Sequence, residues 1–168
     1  IVTSRDAAGN NLVNGGADNT AWYGDFKGRP MLFAEGSGRA LAIAASGPWL
    51  ARSAGYAGFS DGWQALSRGQ ELKEEYHCAP SGNVALSGTL DMEATEGRVQ
   101  IAIGFGTQPE EAAFRAILSL EQGVEPALKH FRNGWRDWQG GLLTLDEPHE
   151  PGQLNRYRVS TGVLATHC

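Results

Sequence analysis

Alternation of apolar and polar residues predicts a β-hairpin near the start of the chain. An extended segment at residues 31–35 is followed by glycines at positions 36 and 38 and then by an apolar segment at residues 40–45. Glycine tolerates the backbone conformations that tight hairpin turns require. We therefore expect two antiparallel strands joined by a glycine turn.

A second hairpin is predicted between residues 84–92 and residues 99–105. Apolar and polar side chains alternate along both segments, which places one apolar face on each strand. The residues between them, 93–97, read as the turn, so both faces would cover the same core. The apolar positions are Val84, Leu86, Leu90 and Met92 on one strand, and Val99, Ile101, Ile103 and Phe105 on the other.

At Gly106 the apolar period changes from two to about 3.6 residues, which indicates a helix. Thr107 is the predicted N-cap, and Glu110 three residues later completes a capping box. The helix is expected to end at Gln122, because Gly123 suits the left-handed residue that follows many helices.

A second helix is predicted from about Pro126 to the glycine pair at 140–141, followed by an extended linker at residues 146–152. A short third helix is expected to begin near Gln153. The second helix carries an apolar stripe that must be covered by another surface. This stripe consists of Leu128, Phe131, Trp135 and Trp138.

Strands come first and helices last, so the predicted fold is mainly β: an antiparallel β-sandwich followed by two or three C-terminal helices. A chain of 168 residues is of single-domain size. Its net charge is −5, and no basic cluster interrupts the acidic background. Nucleic acid and anionic membranes are therefore not expected partners. No apolar run approaches the roughly 18 residues of a membrane span.

Glycoside hydrolysis requires two carboxyl groups on either side of the sugar bond. Candidate acids in the glycine-rich half are Asp25, Asp61, Glu74, Glu75 and Asp91. The favoured interpretation of these residues is solvated surface carboxylates.

Aromatic side chains often form platforms for sugar rings. Trp22, Tyr23, Tyr56, Phe59 and Trp63 lie in glycine-rich segments that read as loops. Trp22, Tyr56 and Trp63 are the candidate ligand contacts. Core or domain-interface packing is the favoured alternative for large aromatics in a sandwich.

Glu75, His77 and Cys78 could each bind zinc, but on a strand Cys78 points away from the other two. No metal site and no cofactor are expected, and Cys78 is predicted to be a small buried residue. The sequence also lacks a nucleophile elbow, a phosphate-binding P-loop and a dinucleotide fingerprint.

Many short segments occur in the order in which one enzyme family has them. They include DNTAW (18–22), KGRPMLFA (27–34), AASGPWLARSAGY (44–56), SDGWQ (60–64), GNVAL (82–86), GFG (104–106), PEEA (109–112), GWRDW (134–138), YRVS (157–160) and VLATH (163–167). With these segments the chain resembles bacterial glucoamylases and glucodextranases, whose N-terminal super-sandwich and helical linker precede an (α/α)₆ catalytic barrel.

The resemblance implies a division of the chain into three parts. Residues 1–106 correspond to a partial super-sandwich, residues 107–145 to the helical linker hairpin, and residues 146–168 to an extended linker and the first helix of a truncated catalytic domain. It also implies inverting hydrolysis of α-glucosidic bonds by two barrel glutamates. No carboxylate of this chain lies in a matching motif, so no catalytic residue is expected in it.

Three functional hypotheses follow from the resemblance. The chain is a non-catalytic part of a glycosidase and packs on the helical catalytic domain, or it is an α-glucan-binding module, or it is an enzyme in its own right. The first is favoured. A second copy of the chain is a further expected partner, through an exposed sheet or helix face. Export from the cell is suggested by analogy alone.

Overall fold

The computed structural model describes residues 18–67, 71–72, 75–143 and 155–167. The chain forms two compact units, one ending at Val124 and the other beginning at Glu125. None of the described helices is long and apolar enough to cross a lipid bilayer.

The described residues of the first unit form two antiparallel sheets and two helices. Five strands pair in the order β5-β1-β2-β3-β7, and β4 pairs with β6 in a separate two-stranded sheet. This architecture confirms the predicted partial β-sandwich followed by helices. The elements are β1 (Asn19–Phe26), β2 (Arg29–Gly36), β3 (Arg39–Ala45), β4 (Trp49–Tyr56), α1 (Gly62–Ser67), β5 (Cys78–Gly82), β6 (Val84–Leu90), β7 (Ile101–Gly106) and α2 (Pro109–Gln122).

Two tight turns of the same kind join β1 to β2 and β2 to β3. Lys27 and Gly28 have φ values of 51° and 76°, and Ser37 and Gly38 have 52° and 69°. Two successive positive φ angles are typical of type I′ turns, whose twist matches that of the strands they join. The predicted β2–β3 hairpin is confirmed by these strands, and its turn is centred on residues 37–38.

The five-stranded sheet has a hydrophobic core on each of its two faces. Helix α2 covers one face through small residues, so that a Cβ at Gly104 would lie only 2.0 Å from the carbonyl oxygen of Ala112. The opposite face packs against β4 and β6. The core under α2 contains Met31, Phe33, Ala40, Ala42, Ala44, Ala102, Ala112, Ala113, Ala116 and Ile117. The core between the sheets contains Ala21, Leu32, Ile43, Ala54 and Leu86.

The predicted hairpin between β6 and β7 is wrong. Both segments are strands, but β6 pairs with β4, with Leu86 opposite Ala54, and β7 pairs with β3, with Ile103 opposite Ile43. The two strands therefore belong to different sheets. Alternation defines the faces of a strand but carries no information about the strand beside it.

The buried face of β7 is also opposite to the predicted one. Ala102 and Gly104 are buried under α2, whereas Ile101, Ile103 and Phe105 are exposed. The helix can approach the sheet closely only where the side chains are small. Close helix packing has therefore overridden the preference for burying the larger residues.

The predicted capping box of α2 is also wrong. The N-cap is Gln108, whose side chain makes no capping bond, and Pro109 is the first helical residue. The backbone N–H and the hydroxyl of Thr107 instead donate to Oε2 of Glu111, over 2.8 and 3.0 Å. The expected end of the helix is confirmed, because Gly123 follows it with φ of 76°.

The second unit contains, among its described residues, helices α3 (Val124–Gly140) and α4 (Arg156–Ala165). Oδ1 of Asn155 caps α4 by accepting from the Arg158 N–H. The Arg158 guanidinium donates to the backbone and side-chain oxygens of Gln139, which ties the two helices together. The predicted linker at 146–152 and the predicted helix start at Gln153 lie outside the described residues.

Candidate functional site

The turn that follows β4 is organised around the carboxylate of Asp61. One oxygen accepts from the Gly58 N–H, and the other accepts from the Gln64 N–H over 2.8 Å. Asp61 is only 8% exposed, and it acts as the N-terminal cap of α1. The pattern Asp61-x-x-Gln64 is the sequence signal for this cap.

Helix α1 lies against the outer face of the β4–β6 sheet, because two glycines permit a close approach. The Gly62 N–H donates to Ser87 Oγ over 2.9 Å, and a Cβ at Gly62 would lie 2.6 Å from that oxygen. A Cβ at Gly55 would lie 2.0 Å from the carbonyl oxygen of Ser60. The aromatic residues of this region are left outside, and Trp63 is 62% exposed.

An open cleft of about 810 Å³ lies beside α1 on the same outer face. This volume falls within the usual range for small-ligand pockets, roughly 300–1,000 Å³. The lining is mostly apolar, with hydroxyl groups on the strands and a carboxylate on one wall. Its residues include Leu50 and Ala51 from β4, Ala65 and Leu66 from α1, Ser87 and Thr89 from β6, and Glu71 and Leu72 from the segment after α1.

Trp63 lies on α1, the helix that lines this cleft, but is not itself one of the lining residues. Gly62 and Leu66 line the cleft on one side of the helix, and a turn of about 3.6 residues places Trp63 roughly 60° around the helix from Leu66. Ala65, which also lines the cleft, is about 160° around the helix from Trp63. Thr89 and Glu71 are lining residues of the cleft itself. An exposed aromatic side chain, a hydroxyl and a carboxylate are group types that sugar-binding sites use.

The other two candidate ligand contacts have packing roles. Trp22 stacks on Phe33 with ring centroids 5.3 Å apart and packs against the core under α2. The Tyr56 hydroxyl donates to the Pro80 carbonyl oxygen over 2.8 Å, and its ring lies against Gly82. Trp22 lies in the five-stranded sheet, whereas Tyr56 and Trp63 stand at the two ends of the turn before α1.

The prediction that these aromatic segments are loops is wrong for most of them. Trp22 and Tyr23 belong to β1, Tyr56 ends β4, and Trp63 is helical. Only Phe59 lies in a turn, where it is 85% exposed. In these segments the glycines occur in tight turns and at points of close packing between strands and helices, and not in long loops. Sugar binding by Trp22, Tyr56 or Trp63 stays a prediction.

Three of the candidate acids have structural partners. Asp25 pairs with Arg52 over 3.2 Å, and Asp61 caps α1. Asp91 Oδ1 accepts from the N–H groups of the two residues at 93 and 94, over 3.0 and 2.9 Å. Glu75 is exposed, and Glu74 lies outside the described residues. The interpretation of Asp61 as a solvated surface carboxylate is therefore wrong, because it is buried.

The residues of the rejected zinc hypothesis lie around the edge strand β5. The His77 ring contacts the Tyr23 ring edge-on, with centroids 4.8 Å apart. Cys78 is exposed, contrary to its predicted burial, because β5 is the outermost strand of its sheet. Within the described ranges, no three His, Cys, Asp or Glu residues are placed to share a metal ion.

A second aromatic cluster lies in the second unit. Phe131 and Trp135 meet edge-to-face at 6.2 Å between centroids, and Trp135 and Trp138 do so at 5.4 Å. Together with His130 and Ala165 they line an open pocket of about 400 Å³. This cluster corresponds to the predicted apolar stripe, and no described residue of α3 is buried.

The sequence model of the family described as glucodextranase, domain N, matches residues 7–140. A crystal structure of a bacterial glucoamylase in complex with acarbose aligns with a TM-score of 0.69 and 21% sequence identity. The alignment covers 76% of this chain and 19% of the glucoamylase chain. A search of curated protein sequences found no match.

These comparisons define a region of the glucoamylase and glucodextranase class of proteins. The chain belongs to the glucodextranase domain N family, since the match includes most of its residues. The likeness to the glucoamylase shows the shared fold, and the chain spans about a fifth of that protein. The resemblance stated from the sequence is confirmed.

Proposed function

We propose that this chain is a non-catalytic N-terminal region of a glucoamylase-like glycoside hydrolase. In this proposal a helical (α/α)₆ domain elsewhere in the protein hydrolyses α-glucosidic bonds of starch-type or dextran-type glucans with inversion. The family match and the shared fold support a glucoamylase-like protein. The absence of catalysis from this region is our inference from its carboxylates.

The observation that carries the proposal is the arrangement of acids around the cleft. An inverting site requires two carboxyl groups about 6.5–9.5 Å apart with a water between them. Among the described residues that line the cleft, Glu71 is the single acid. Asp61 lies nearby in sequence, but both of its oxygens accept backbone N–H groups. Both oxygens are therefore already engaged in structural hydrogen bonds.

Hydrolysis by the isolated chain is the direct test. We expect no glucose release when the purified 168-residue chain is incubated with maltotriose. Glucose release that disappears in Glu71→Gln, with circular dichroism unchanged, would contradict the proposal. The hypothesis of an independent enzyme would then replace it.

We propose as a second candidate that the cleft binds α-glucan without cleaving it. The exposure of Trp63 on the helix that lines a cleft with Thr89 and Glu71 favours this function. The apolar face of a glucose unit would pack on the indole, and the hydroxyl and carboxylate would accept hydrogen bonds from the sugar. Such binding would hold a polysaccharide near a catalytic domain.

Titration with maltotetraose tests this second proposal. We expect saturable quenching of tryptophan fluorescence, and a heat signal in calorimetry, both lost in Trp63→Ala. The matched control is Trp138→Ala, which removes an exposed tryptophan from the other aromatic cluster. Loss of binding in Trp138→Ala alone would place the binding site on α3. If the wild type shows neither quenching nor heat, only the non-catalytic structural function is left.

A further inference from the structure

We draw no further inference here: the strongest candidate, the open aromatic pocket that Phe131, Trp135 and Trp138 of α3 form with Ala165 of α4, is an apolar helix surface for which nothing among the described residues shows what covers it.

Discussion

Nη1 of Arg52 lies 2.7 Å from the carbonyl oxygen of Gly24, so a side chain from the small sheet bonds to the backbone of the large one. The same nitrogen is 3.2 Å from the Met31 carbonyl oxygen and 3.2 Å from Asp25 Oδ1. The guanidinium also lies over the Tyr23 ring, 5.0 Å from its centroid. Arg52 thus connects β4 to both β1 and β2.

Replacing Arg52 with Met should therefore weaken the sandwich. Met keeps part of the apolar stem but leaves two half-buried carbonyl oxygens without their charged donor. We expect the free energy of unfolding, measured in urea, to fall by about 1.5–3 kcal/mol. Asp25→Asn is the control, because the Asp25 side chain is 60% exposed and its ion pair should contribute less than about 1 kcal/mol. An equal loss of stability in both variants would show that the stabilisation comes from the Arg52–Asp25 ion pair and not from the bonds to the backbone carbonyl oxygens.

Gly104 is required by the close packing of β7 on α2. A Cβ there would lie 2.0 Å from the Ala112 carbonyl oxygen and 2.7 Å from the Ala116 nitrogen, both backbone atoms that cannot rotate away. We expect Gly104→Ala to lower the free energy of unfolding by about 2–3 kcal/mol. Gly134→Ala in α3 meets no atom within 4 Å and should instead stabilise its helix by about 1 kcal/mol. A tolerated Gly104→Ala would contradict the observed helix–sheet distance.

Local chemistry made part of the fold predictable from the sequence. Positive φ angles occur in the turn at Ser37 and Gly38 and at the helix end at Gly123. Glycine adopts such conformations readily, so a glycine in the sequence indicates where they occur. The buried face of β7 depends on α2, which packs against it through Ala112 and Ala116. The alternation of apolar residues predicted the opposite face of β7, because this pattern does not show how closely a helix can approach the strand.

The sequence did not predict the residues that line the cleft. The candidate ligand contacts Trp22, Tyr56 and Trp63 were chosen as aromatics in glycine-rich segments, whereas the cleft combines β4, β6, α1 and the segment containing Glu71. Residues so far apart in sequence share no spacing that a motif could reveal. Asp61 did carry a signal, since its capping pattern with Gln64 indicates a structural acid.

Removing the Asp61 carboxylate should destabilise the turn that positions Trp63. Asp61→Ala leaves the N–H groups of Gly58 and Gln64 without acceptors, and we expect a loss of about 1–2 kcal/mol in urea unfolding. Asp61→Asn keeps one acceptor oxygen and should cost less. If this turn also orders the cleft, maltotetraose quenching should weaken in Asp61→Ala more than in Asp61→Asn. Identical stability of the alanine variant and the wild type would refute the capping role.

Glu111 links the stability of α2 to pH. The backbone N–H and the hydroxyl of Thr107 donate to its carboxylate, with Arg115 nearby, and together they hold the pKa of Glu111 below its usual value. The unfolded chain therefore binds this proton at a higher pH than the folded chain does. The stabilisation is fully present above the unfolded pKa of about 4.3 and is lost as pH falls through the lower, folded pKa.

Thermal unfolding of Glu111→Gln against the wild type should show this dependence. The wild type is expected to be more stable between about pH 5 and 7, and the difference in Tm should shrink as pH is lowered toward about 3. Glu110→Gln is the matched control, since it removes a charge from the same helical turn while leaving the bonds to Thr107 intact. The difference in Tm for Glu111→Gln should therefore depend more steeply on acid pH than that for Glu110→Gln. A pH-independent difference would mean that the Thr107 bonds contribute equally to the protonated and ionised forms of Glu111.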